Sequence, residues 1–78
     1  MSPAYITDAA LQELIMRQLE PEHALTEKDL TLFIRVEPER VKSCCADLQQ
    51  RGLIYSVDYV FWKLTVSGRM ALKNGKEV

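Results

Sequence analysis

The chain has 78 residues, room for one small domain. Its hydrophobic fraction of 47% and charged fraction of 27% exclude a disordered chain, and a formal net charge of −1 excludes an indiscriminate polyanion binder. Apolar runs are only a few residues long, as at Tyr59–Trp62, and the start of the chain carries Asp8 with no basic residue before it. Neither a bilayer span nor a signal peptide is expected, so the chain reads as a cytoplasmic protein with no membrane partner.

Leu11, Leu14, Ile15 and Leu19 recur at helical spacing and predict a helix over about 7–20. Gln12, Glu13, Arg17 and Gln18 take the other side. Tyr5, Ile6 and Met16 fall outside the apolar stripe and are a candidate surface for dimer packing. Thr7 can cap this helix, Ser2-Pro3 offers an earlier start, and Pro21 stops it. Thr26 with Asp29 is close to a capping box for a second helix over about 27–34, whose apolar face is Leu30, Phe33 and Ile34. The Ala24-Leu25 pair between the two helices suits an extended link or a very short strand.

Pro38 fits the first turn of a third helix over about 38–51. Val41, Cys44 or Cys45, and Leu48 form its inward stripe, and Gly52 can adopt the left-handed conformation that ends it. A short helix, a brief connection at Arg35–Glu37 and a longer helix have the spacing of a helix-turn-helix. With Val41, Cys45 and Leu48 inward, a 100° step per residue puts Glu39, Lys42, Ser43, Ala46 and Gln50 on the far side. Arg40 and Asp47 lie on the flanks.

Beyond Gly52 the texture becomes strand-like. LIYSV and YVFWKLT predict a hairpin over about 53–65 that turns at Asp58. Ile54, Trp62 and Leu64 face the core, so Phe61 and Lys63 face away, with Tyr55 or Tyr59 across from Phe61. Thr65 or Ser67 caps a last helix over about 66–73 containing Met70, Ala71 and Leu72, and Asn74-Gly75 ends it.

Catalytic chemistry finds no support. There is no glycine-rich phosphate loop and no nucleophile–base pair, and the single histidine, His23, reads as a surface loop residue. Glu20 and Glu22 read as solvated loop charges. Cys44 and Cys45 are adjacent, which disfavours a bridge between them, and the ligand inventory is too poor for a zinc site. They read as small hydrophobes in or beside the core. The expectation is no enzyme, no catalytic or metal-binding residue, no cofactor and no small-molecule substrate.

Charge is unevenly spread. Residues 1–26 carry Arg17 against Asp8, Glu13, Glu20 and Glu22, whereas residues 52–78 carry Lys63, Arg69, Lys73 and Lys76 against Asp58 and Glu77. The positive end is the C-terminal one.

The order helix, helix, helix, hairpin, helix is that of a winged helix-turn-helix, an α+β fold with a small antiparallel sheet. From Val36 onward the wording resembles the recognition helix and wing of bacterial regulators of the MarR-like and related classes. There a helix ends in Leu-x-x-x-Gly-Leu-Ile, here Leu48, Gly52, Leu53 and Ile54. A hairpin follows, and its second strand runs into Leu-Thr-x-x-Gly-Arg, here Leu64, Thr65, Gly68 and Arg69. With the Thr26–Ile34 helix, the similarity covers about two-thirds of the chain.

The resemblance implies a single domain over 1–78 that binds double-stranded DNA, as a dimer, by placing the third helix in the major groove. In that reading Lys42, Ser43 and Gln50 read base edges or hold phosphates, and Glu39 can accept from cytosine. Arg35, Arg40, Lys63 and Arg69 meet phosphates. A chain consisting of this domain alone suits a phage- or plasmid-style transcription regulator. Two features depart from the pattern: Glu37 and Glu39 start the reading helix, and the wing tip carries Val57, Asp58 and Tyr59 where such regulators tend to carry Arg or Lys. They keep open an alternative, a winged-helix module that docks on a protein through Tyr55, Tyr59 and Phe61 without binding DNA.

Overall fold

A computed structural model describes residues 6–74. The chain forms α1 (Asp8–Leu19), β1 (Leu25–Thr26), α2 (Glu27–Ile34), α3 (Pro38–Gln50), β2 (Ile54–Ser56), β3 (Phe61–Leu64) and α4 (Val66–Lys73). Three threonines start three helices. Thr7 accepts from Ala10 N, Thr26 from Asp29 N and Thr65 from Gly68 N, each satisfying a backbone donor that the first helical turn leaves unpaired. At Thr26 the capping box is complete, because the Asp29 carboxylate accepts from Thr26 N at 3.1 Å. Ser2, Pro3, Tyr5 and Gly75, which the sequence brought into helix ends or a dimer surface, lie outside the described residues.

The sheet has the order β1-β3-β2 and is antiparallel throughout. The short Leu25–Thr26 segment is therefore a true strand, pairing with Trp62 and Phe61. Ile54 pairs with Leu64 and Tyr55 with Lys63. By alternation Ile54, Trp62 and Leu64 share the core side, and Tyr55, Phe61 and Lys63 the outer side. Tyr55 thus opposes Lys63, and Phe61 opposes Thr26.

The core gathers Leu11, Ile15, Met16 and Leu19 of α1, Leu30 of α2, and Val41, Cys44, Cys45 and Leu48 of α3. Ile54, Leu64 and Leu72 close it, with Trp62 packed half-buried against it. Four residues depart from the sequence expectation. Met16 is fully buried and is no dimer surface, whereas Leu14 and Phe33, expected inward, are exposed. Gln12, expected on the solvent side, is only 7% exposed. For Met16 and Gln12 the cause is the breadth of burial on α1, which packs against α2, α3, α4 and β3. A helix covered from several sides buries the flanks of its apolar stripe as well as the stripe.

The two motifs at the ends of the hairpin meet in one junction. Gly52 takes φ +75°, the left-handed region. Its carbonyl accepts from the Thr65 hydroxyl at 2.7 Å, and the Leu53 carbonyl accepts from Thr65 N at 3.1 Å. Gly68 then packs so closely that a Cβ there would lie 2.2 Å from the Leu53 carbonyl oxygen and 2.8 Å from a Leu64 methyl. The wing is thereby fixed at its base to the end of α3 and the start of α4. Among the described residues, no helix is long and apolar enough to cross a membrane.

Candidate nucleic-acid interface

Helix α3 has one buried and one exposed side. Val41, Cys44, Cys45 and Leu48 are buried on one side, and Glu39, Lys42, Ser43, Ala46, Gln49 and Gln50 are exposed on the other. Among the described residues, no hydrogen bond or ion pair engages the side chains of Lys42, Ser43, Gln49 or Gln50, whose donors and acceptors face outward. Gln49 belongs to this surface although the far-side reading omitted it. Its place one residue before Gln50 at the helix end is the signal that could have included it.

Arg35 precedes α3 and closes α2 in the left-handed conformation, φ 66° and ψ 49°, with its N–H on the Thr31 carbonyl at 2.8 Å. This conformation is uncommon for a residue with a Cβ, and it leaves the Arg35 side chain exposed at the turn between α2 and α3. Glu37 is the N-cap of α3 without a side-chain cap bond, and Glu39 lies in the first turn. Both carboxylates suit the positive end of the helix dipole, and they dilute the positive charge of Arg35 and Lys42.

Two of the expected phosphate contacts are engaged within the chain. Arg40 Nη2 donates to the Ile6 carbonyl and to Asp8 Oδ1, both at 2.7 Å, and its side chain is 18% exposed. Arg69 Nη1 donates to the Glu20 carbonyl at 2.6 Å, where a cation complements the C-terminal end of α1. These two arginines join α3 and α4 to α1. With them withdrawn, Arg35, Lys42 and Lys63 remain, on three separate segments.

The polar group at the far end of α3 was missed entirely from sequence. Gln12 Nε2 donates to Asp47 Oδ2 at 2.8 Å, and Arg51 Nη2 donates to the same oxygen at 2.8 Å. Arg51 also donates to Gln12 Oε1. Cys44 lies between this group and Arg40. Burial pushes the Cys44 thiol up and the Cys45 thiol up to about 12, so neither forms a thiolate readily near neutral pH. Among the described residues, no cluster of three or more His, Cys, Asp or Glu could hold a metal ion.

The wing is of another character. Asp58 Oδ1 accepts from Val60 N and Phe61 N, both at 3.0 Å, and these bonds hold its carboxyl below its ordinary value. Tyr59 takes φ 64° and is 98% exposed at the tip. Val57 and Val60 flank it in solvent, with Tyr55 and Phe61 exposed behind. A surface hollow of about 260 Å³ lies elsewhere, between α2 and the start of α3, lined by Glu27, Lys28, Thr31, Leu32 and Pro38.

No protein-family profile matches the chain, and no curated protein sequence does. Among solved structures it is similar to wild-type ZitR of Lactococcus lactis, with a TM-score of 0.74 at 27% identity over 94% of this chain and 50% of that one. Two single-residue mutants of ZitR align with TM-scores of 0.77 and 0.75, each at 22% identity over 96% of this chain and 55% of theirs. The chain spans about half the length of the ZitR chains it matches. With four helices and a three-stranded antiparallel sheet among the described residues, and this likeness, the chain has the α+β winged-helix fold.

Proposed function

We propose that this domain is the DNA-binding unit of a transcription regulator and acts by placing α3 in the major groove of duplex DNA. One observation carries the reading: the outer side of α3 presents Lys42, Ser43, Gln49 and Gln50 with their hydrogen-bonding groups unengaged among the described residues, while the opposite side is sealed in the core. Such side chains serve base edges and phosphates, and the likeness to ZitR supports a regulator. Lys42, Ser43 and Gln50 contact the groove, with Glu39 toward a cytosine, and Arg35 and Lys63 meet phosphates on either side. Arg40 and Arg69 act from behind, by holding α1, and keep only their outward edges for a phosphate. Two copies bind together, since one small reading head gives limited affinity. No cofactor and no covalent step is involved.

A second reading rests on the wing. Its exposed Val57, Tyr59, Val60 and Phe61 form an apolar surface without a basic residue at the tip. Such a surface suits a protein partner or a second copy through Tyr55, Tyr59 and Phe61. A salt titration of binding to mixed-sequence duplex DNA separates the two. Affinity falling steeply as salt rises, the mark of released counterions, supports the first reading, and absence of binding at low salt removes it.

A further inference from the structure

Helix α3 is held on α1 by three kinds of contact. Val41, Cys45 and Leu48 pack into the core. Arg40 ties the first turn of α3 to Asp8 and the Ile6 carbonyl. The group of Gln12, Asp47 and Arg51 ties the last turns. These contacts differ in what they can specify. Apolar packing is non-directional and tolerates small displacements of one helix along another. A buried amide bonded at both ends does not, because a shifted α3 would leave its N–H and its carbonyl unpaired at a position only 7% exposed. A single buried polar residue that fixes the register of packed helices is a well-attested device.

We propose that Gln12 is a positioning residue: by engaging Asp47 and Arg51 it fixes how α3 sits on α1, and so determines how sharply the domain discriminates between DNA sequences. The proposal rests on the DNA-binding reading and extends it to a residue on the first helix, beneath the reading surface. Phosphate contacts by a flexible Lys tolerate a displaced helix, whereas hydrogen bonds to base edges do not. Loss of Gln12 therefore erodes discrimination and spares the electrostatic part of binding. With Arg40 still anchored, α3 is free to pivot about its first turn.

The test uses two duplexes, one enriched by the full wild-type chain from a randomised library and one with that sequence shuffled. Gln12→Met keeps the side chain's length and removes both bonds. The ratio of the two affinities is expected to fall about tenfold, the scale of one misplaced base contact. Affinity for the shuffled duplex and its salt slope stay unchanged, and the melting temperature moves by less than about 5 °C. Asp47→Asn retains an acceptor for both Gln12 and Arg51 and is expected to keep the wild-type ratio. Asp47→Ala, at an exposed position where the fold survives, loses it as Gln12→Met does. An unchanged ratio in Gln12→Met and Asp47→Ala overturns the proposal, as does an equal loss on both duplexes. If the wild-type chain enriches no duplex, the DNA-binding reading itself fails. The register claim is then decided by NMR distances between α1 and α3 in Gln12→Met: a changed pairing upholds it, and an unchanged one overturns it.

Discussion

The outer side of α3 and the tip of the wing are both exposed, yet one carries Lys42, Ser43, Gln49 and Gln50 and the other Val57, Tyr59 and Val60. They also differ in what supports them. Behind α3 lie buried side chains and polar anchors at both ends of the helix. Behind the tip there is only a local turn, with Asp58 bonded to Val60 N and Phe61 N. The contrast teaches that position in the fold does not make two solvent-facing elements equivalent. The first is suited to hydrogen-bonding a polar target in a fixed orientation. The second offers apolar area and a carboxylate, which do not favour a phosphate backbone.

Reversing a charge on the helix breaks the comparison most severely. Lys42→Glu is expected to weaken duplex binding about a hundredfold at low salt while leaving the melting temperature nearly unchanged, since Lys42 is exposed and bonded to nothing among the described residues. Retained binding in a fluorescence-anisotropy titration would remove α3 from the contact surface. Next in size is Gly68→Ala at the base of the wing. A Cβ there meets the Leu53 carbonyl, and forcing a methyl into such a space costs about 2–3 kcal/mol. Urea unfolding measures it, and a neutral result would show that the junction relaxes easily.

Two smaller effects sharpen the picture of the wing. The pair Val57→Ser and Tyr59→Ser is expected to change duplex affinity less than about threefold, as exposed positions without a basic group should. A tenfold loss would give the wing a share of the DNA surface. The smallest effect is on acidification. Asp58 is held below its ordinary 3.8 by the backbone N–H groups of Phe61 and Val60. Its folded-state value is depressed, so the turn bonds are fully present above that range and weaken as pH falls through the lowered value. The Val60 and Phe61 amide resonances are expected to titrate below pH 3.8, and a midpoint above it would show the turn bonds to be unimportant.

Much of this was legible from the residues, for reasons that are local. The capping pair Thr26 and Asp29 and the cap at Thr65 act within three residues, and hydrophobic period alone sorted the two sides of α3. The motif Leu64, Thr65, Gly68 and Arg69 was recognisable as a pattern, and its physical content is the tight junction with Gly52 and Leu53. What escaped reading is non-local. Gln12 finds Asp47 and Arg51 at separations of 35 and 39 residues, and Arg69 finds the Glu20 carbonyl at 49. Backbone carbonyls as partners leave no mark on the sequence at all. Arg40 and Arg69 therefore read as phosphate contacts, and Gln12 as a polar residue on the solvent side of its helix, until the fold places their partners beside them.

The most direct test of the central claim, that the outer side of α3 is where the domain meets its target, is a ¹⁵N NMR titration of the full chain with duplex DNA at low salt. Amide shifts concentrated on Lys42, Ser43, Ala46, Gln49 and Gln50, with Tyr59 and Val60 unmoved, are the predicted result. Shifts confined to the wing, or none anywhere, would contradict it.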